Sequence, residues 1–410
     1  MKQKINIPLL KDHHNHASLY VLFNDCLNIQ EIKDKNAALK MVQSLDKEKV
    51  SVVLGWNTGF YTFTGEELNG FPPVIIVNLS LHAFIMNASA EAMLENKYPD
   101  IVANYKNPLW YEAHFARMMI FLANRVEPTA QKVKTFFDEL YKKGVYHVED
   151  MLLTGEEIYY FIASSPYRDR TSYWTDPATF KTLSPTVKIA VKGIKLFTDG
   201  ALGAGTAALG QPYLNGKHAG LLHKDEDLFR QMREAALLGK AVAVHAIGEL
   251  GIAQVLRTIR MLKEKGFSFP EIRMEHCQFI DETMAHEAKE LGIILSMQPN
   301  FSTDSTIYSD RLPGHYLEHN NPFRMLIDKA GFVPGKDLIF GSDGMPHGVE
   351  TAIQTGLFPP FPGQRLTPNE FMAGYCMPDK SHGQIEVEIN ESSGNVFPAV
   401  VIDPLPPKLV

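Results

Sequence analysis

Between residues 145 and 343 the chain repeats one pattern: a short apolar run, a polar break, an amphipathic stretch, then another short apolar run. The runs at 145–149, 158–164, 193–197, 241–244, 273–275, 293–296 and 338–340 read as strands. The stretches at 228–238, 252–265, 282–291 and 322–330 read as helices between several of them. A further apolar run at 5–10 brings the strands to eight. Strands that alternate with helices lie parallel, because each helix serves as the crossover, and eight such units close into a barrel. The expected fold is therefore α/β, a (β/α)8 TIM barrel.

The segment after the first strand breaks this rhythm. A helix is expected at 30–45. Apolar runs at 50–56 and 74–81 follow, separated by Gly59, Gly65, Gly70 and Pro72-Pro73. Helical blocks at 110–124 and 129–143 end at Gly144. The runs 384–389 and 396–402 read as a hairpin outside the barrel. The expected division is residues 1–25 for the first barrel strand and its histidines, 26–107 for an insert, 108–376 for the rest of the barrel, and 377–410 for the tail.

Composition limits the class of partner. Hydrophobic residues make up 45% of 410 and charged residues 21%, the mix of a folded globular chain. The net charge is −7 with no long basic run, which argues against nucleic acid or an anionic membrane as partner. No stretch approaches the ~18 consecutive apolar residues of a membrane span. The opening MKQKINIPLLKDHHNH lacks the apolar centre of a secretory leader, and three scattered cysteines do not make a disulfide framework. A cytoplasmic location and a small-molecule substrate are expected, with homo-oligomer formation left open.

The chemistry gathers at the ends of the expected strands. His14 and His16 follow the first, Lys195 lies in the fourth, His245 ends the fifth, His276 the sixth, and Asp343 follows the eighth. In a (β/α)8 barrel these ends converge on one mouth. Residues two apart on an extended strand share a face, so the imidazoles of His14-Asn15-His16 can grip one cation. A single strand-end histidine is ordinarily a hydrogen-bonded core residue, Lys195 alone an ordinary ion-paired lysine, and Asp343 alone a cap. Together, in barrel order, they point to a divalent metal held by imidazole and carboxylate, zinc foremost, with iron, manganese and nickel as alternatives.

The motifs around these residues resemble the amidohydrolase superfamily, specifically its amidohydrolase-3 branch. Lys195 lies in KGIKLFTDGALGAGTAALGQPY, His245 in VAVHAIGE, His276 in IRMEHCQ and Asp343 in IFGSDGMP; ILSMQPN and PPVIIVNLSLHAFIMNASA also match. The resemblance spans residues 10–376. It implies a metal-dependent hydrolase with one or two divalent ions, in which metal-activated water cleaves a C–N bond (amide, N-acyl or cyclic amide) of a small molecule. It further implies that His14 and His16 bind the more buried ion, and that His245 and His276 bind the second. Lys195 would be carbamylated and bridge the two. Asp343 would bind metal or water and shuttle the proton. His82 of LSLHAF would reach the substrate; Trp56, an aromatic of the insert, is a further substrate-binding candidate.

The sequence also departs from that pattern. Only thirteen residues precede His14 and the tail after Cys376 is short, so the β-sandwich of most members should be reduced or missing. Gly205 stands where an arginine is usual, and Glu249 where an aspartate is. Deamination, ester hydrolysis, isomerisation, or a non-catalytic metal-binding role remain alternatives. The insert's aromatics (Trp56, Phe60, Tyr61, Phe63, Trp110) hint at a partly apolar substrate.

Overall fold

The computed structural model describes residues 2–79 and 81–402; Ser80 of the run 74–81 and residues 403–410 of the tail lie outside them. The chain forms two compact units, one of Met1–Ser18 with Val133–Val410 and one of Leu19–Lys132.

The first unit is built on an eight-stranded parallel sheet. Its strands one to eight are Leu10–Asn15, Val145–Asp150, Thr171–Thr175, Val191–Phe197, Ala241–Ala246, Ile272–His276, Ile294–Met297 and Leu338–Phe340. The two ends of the row meet where the Asp343 amide donates to the His14 carbonyl at 2.7 Å. Gly341 makes that approach possible, since a Cβ there would lie 2.3 Å from the His14 nitrogen. The expected (β/α)8 barrel is the fold of this unit.

Both faces of such a sheet are covered, so strands such as five can be apolar on both sides, as in the fully buried Val242-Ala243-Val244. The helix Glu249–Glu264 buries Ile252, Val255, Leu256, Ile259 and Leu262, spacings of three and four that form one apolar stripe. Inside the barrel, Trp174 is fully buried against Met151, Ala241 and Ala243. Small residues on strands four and five make room for this one large ring. At Gly193 even a Cβ would fall 2.3 Å from Trp174 Cζ3. Trp174 Nε1 donates to Glu149 at 3.0 Å, and Glu149 pairs with the buried Arg273 at 2.9 Å. The interior beneath the mouth is thus a satisfied polar layer rather than a purely apolar one.

Several boundaries differ from the sequence reading. The run 5–10 is not one barrel strand. Lys2–Pro8 pairs antiparallel with Gln384–Asn390, which pairs in turn with Asn395–Val401. This three-stranded sheet is what stands in place of a full sandwich, and strand one begins at Leu10. The run 158–164 lies in the helix Glu156–Ala163, which opens on Glu156 and Glu157 and buries Ile158 and Ile162. Strand three is instead Thr171–Thr175, whose half-polar sequence TSYWT carries no apolar run. The block 110–124 divides at His114 into Pro108–Ala113 and Phe115–Ala123.

The second unit is a four-stranded sheet of Leu27–Asn28, Ser51–Trp56, Val74–Asn78 and Phe84–Met86, the last antiparallel to its neighbour. The helix Lys35–Gln43, shorter than the expected 30–45, is capped by Asp34. Its core holds Ile29, Val42, Val53, Phe71, Val74 and Ile76, and also Tyr61 and Phe63. Those two aromatics belong to this unit's own packing, so they lend no support to an apolar substrate. No described helix is long and apolar enough to cross a membrane.

Candidate metal centre

Strand one carries a register shift between Asp12 and Asn15, a bulge that re-aims the side chains after it. His14 is buried at its end and His16 follows just beyond. Their Nε2 atoms lie 3.7 and 3.1 Å from Asp343 Oδ1. One ligand atom from each of His14, His16 and Asp343 lies within 4.8 Å of the other two. The chain positions 14, 16 and 343 are thus one cluster in space.

Asp343 sits with φ +57°, and His276 and Cys277 with +72° and +51°, left-handed conformations that a side-chain-bearing residue adopts only under constraint. The constraint on Asp343 is visible on both sides. Ser342 donates to the buried Asp12 from its amide (2.8 Å) and its hydroxyl. Asn300 Nδ2 donates to the carbonyls of Ser342 (2.9 Å) and Met345 (2.7 Å). The carboxylate is therefore held by its neighbours rather than by its own backbone preference.

The other expected residues line the same mouth. The ladder sets Phe197 opposite His245 and Ala246 opposite His276. The His276 ring lies 4.7 Å from that of His14 and 4.5 Å from that of His245. His276 Nδ1 donates to Gln298 Oε1 at 2.7 Å, and His245 Nε2 to the Gly200 carbonyl at 3.1 Å. His14 Nδ1 bonds to Glu275 Oε2 at 2.6 Å. A carboxylate only accepts, so this bond fixes the proton on Nδ1 and leaves the Nε2 lone pair toward Asp343. Sequence reasoning missed Glu275 and Gln298. The one available signal was an acid inside the otherwise buried strand IRMEH.

Electrostatics favour a cation here. Burial, and then the Lys195 charge, hold His14 well below its usual range; burial and the neighbouring imidazoles do the same to His276. Burial opposes ionisation of Asp343, but His14, His16 and Lys195 outweigh it and keep the carboxyl below its usual value. Lys195 is fully buried and pushed down to about 8 by desolvation, with Glu275 and Asp343 opposing. Its Nζ has no hydrogen-bond partner, and neither does His16 Nδ1. Neutral His14 and His276 rings and an ionised Asp343 carboxylate are donors that fit a divalent ion.

His82 and Trp56 belong to the second unit. His82 Nδ1 lies 2.9 and 3.0 Å from the two oxygens of the buried Glu112, with its ring stacked on Phe115 at 4.7 Å. Trp56 Nε1 donates to the Tyr61 carbonyl at 3.0 Å.

Comparison with known proteins bears on this arrangement. YtcJ of Bacillus subtilis (strain 168), which its name assigns as an amidohydrolase, is 35% identical over 140 residues. That match covers 33% of this chain but only 26% of YtcJ, about a quarter of the relative's length. Two crystal structures of uncharacterised metal-dependent hydrolases share the fold. The one from Pyrococcus furiosus covers 93% of this chain and 87% of its own, at 20% identity and a TM-score of 0.68. The one from Pyrococcus horikoshii OT3 covers 87% and 75%, at 20% identity and 0.66. The amidohydrolase family model matches residues 2–350, nearly the whole barrel and the segment inserted in it. With strands one to eight and the mouth residues 14, 16, 195, 245, 276 and 343 all inside that match, the chain belongs to the amidohydrolase family.

Proposed function

We propose that this chain is a metal-dependent hydrolase that cleaves a C–N bond, in an amide, N-acyl or cyclic amide, of a small molecule. The observation that supports it most is the His14–His16–Asp343 cluster at the mouth of an amidohydrolase-family barrel. His14 and His16 would hold one divalent ion, zinc foremost, and His245 and His276 a second. A divalent metal supplies two things when bound: a lower pKa for water and polarisation of a carbonyl oxygen.

The chain's own residues do the rest. Asp343 is ionised near neutral pH because His14, His16 and Lys195 outweigh its burial, so it can take the proton from the attacking water. It then delivers that proton to the leaving nitrogen, which departs as a neutral amine. Glu275 holds His14 in the tautomer that presents Nε2. Lys195, pushed down to about 8 by burial, offers far more of the free amine that carbamylation requires than an ordinary lysine does. Its nitrogen adds to the carbon of CO2 and loses a proton, and the resulting anion replaces an unpaired buried cation by a two-oxygen ligand. His82 enters on the resemblance of its motif, and Trp56 as an aromatic of the same insert, both as residues that contact substrate. The free thiols of Cys26, Cys277 and Cys376 fit a reducing cytoplasm.

A panel of N-acyl amines, cyclic amides and matched esters, assayed with the metal-loaded protein and with Asp343→Asn, tests the proposal. Turnover of an amide substrate that falls at least a hundredfold in the variant, with metal still bound, is expected. Near-normal kcat in Asp343→Asn removes Asp343 from the mechanism, and turnover of esters alone removes the C–N assignment.

A further inference from the structure

Strand seven ends at Met297, and the chain then turns across the mouth. Phe301 lies nearly parallel to the His276 ring at 6.1 Å. Asn300, one residue earlier, bonds the carbonyls of Ser342 and Met345 on either side of Asp343. Asp304, three residues after Phe301, accepts at 3.1 Å from Nε2 of Gln278, two residues beyond His276, and so lies beside the mouth, where it feels the Asp343 charge. It is half-buried, so part of it remains reachable.

Asp304 is less compensated than the other buried acids of this unit: Asp12 accepts from Ser342 and Asn15, Asp150 from the Ser18 and Leu152 amides, and Asp199 from the Ala208, Ile247 and Gly248 amides. Asp343 faces two histidines, Glu149 faces Arg273 and Lys192, and Glu275 faces His14. Asp304 has one polar partner, Gln278 Nε2 at 3.1 Å, which is shared with Asn320 Oδ1 at 3.0 Å. Among the described residues no lysine, arginine or histidine pairs with it. Burial, with the nearby Asp343 adding to it, pushes its carboxyl up to about 7. A carboxylate kept at low solvation with one neutral donor carries an uncompensated electrostatic cost. That cost is met when a cation arrives, and a group beside the mouth meets what enters it.

We propose that Asp304 is a specificity residue of this site, and that the substrate carries a protonated amine close to its scissile carbonyl, read by the Asp304 carboxylate. The proposal rests on the hydrolase reading above and sharpens it: the substrate class becomes small amides whose acyl part bears a cationic nitrogen a few methylenes from the scissile carbonyl. Gln278 fixes the carboxylate so that one oxygen is engaged and the other can face the ligand. A neutral apolar substrate of the same length would leave Asp304 buried and unpaired, which is discrimination by an unmet charge.

The test uses hydroxamates, which bind divalent metals without being turned over. Metal-loaded full-length protein is titrated calorimetrically with ω-amino alkyl hydroxamates of two to four methylenes and with their uncharged alkyl isosteres. The expected result is at least a tenfold tighter Kd for one of the ammonium probes, shrinking at high salt. Asp304→Asn, which keeps a carbonyl acceptor for Gln278, should bring that ratio close to one while leaving the Kd of the uncharged probe unchanged. Equal binding of both probes by the native protein overturns the proposal without any variant, whether or not Asp304→Asn folds. A preference that survives in Asp304→Asn overturns it too, since another group then reads the cation. Failure of both probes to bind overturns the metal-site reading, and this proposal with it, and so separates the two.

Discussion

Glu275 is the residue whose removal should say most about how the mouth is organised. It is fully buried, its Oε2 lies 2.6 Å from Nδ1 of the equally buried His14, and its charge opposes the loss of the Lys195 proton. Glu275→Ala removes both the acceptor and the charge. His14 then loses the partner that fixes its tautomer, and its ring is free to present the protonated nitrogen to the metal. Partners that orient a ligand histidine in this way typically contribute ten- to a hundredfold in metal affinity, about 1.4–2.7 kcal/mol. Glu275→Gln keeps an acceptor for Nδ1–H and loses only the charge, so it should fall at the lower end, near tenfold. Competition against a chromophoric chelator at fixed pH gives the apparent Kd of each variant, and circular dichroism checks that each is folded. Folded Glu275→Ala that binds metal within twofold of native would refute the reasoning. Equal losses in Ala and Gln would show that orientation contributes nothing beyond charge.

Two further outcomes follow from the barrel interior. Gly193→Ala should destabilise the chain by about 1–3 kcal/mol, read from the denaturant midpoint, because its Cβ would fall 2.3 Å from Trp174 Cζ3 and 2.6 Å from the Ala241 carbonyl; an unchanged midpoint would mean the ring can move. Lys195 is held down to about 8 against its ordinary 10.5, so between those values the unfolded chain keeps the proton and the folded chain has lost it. The cost of burying the charged amine is thus full below pH 8 and is relieved as pH rises to 10.5. Metal-free stability should therefore rise across that window by up to roughly 3 kcal/mol relative to Lys195→Met, and a flat difference would be inconsistent with a buried, unpaired amine.

How much of this could be read from sequence depended on what each residue packs against. Strands four, five, six and eight are largely apolar runs that carry Lys195 or lead into His245, His276 and Asp343, so both fold and candidate ligands showed together. Strand three did not show, because TSYWT owes its place to Trp174 filling the space left by Gly193, Ala241 and Ala243. The run at 158–164 looked like a strand because two tyrosines and a phenylalanine sit beside Ile158 and Ile162. Its helical face emerges only from which of these are buried. The apolar run at 5–10 was indivisible in sequence. It splits at Leu9 because Lys2–Pro8 finds its partner in Gln384–Asn390, nearly the whole chain away. Glu275, Gln298 and Asp304 were missed for the same reason: each acts on a residue of another strand or loop, and spacing along the chain carries no trace of that.

Elemental analysis of the purified protein, after chelation and reloading with zinc or manganese at neutral pH, bears most directly on the proposed function. One or two divalent ions per chain are expected, with at least one lost when His14 and His16 are both replaced by alanine in a chain that still folds. Folded native protein that takes up no transition metal, or takes up the same amount without His14 and His16, would contradict the assignment of this mouth as a metal centre.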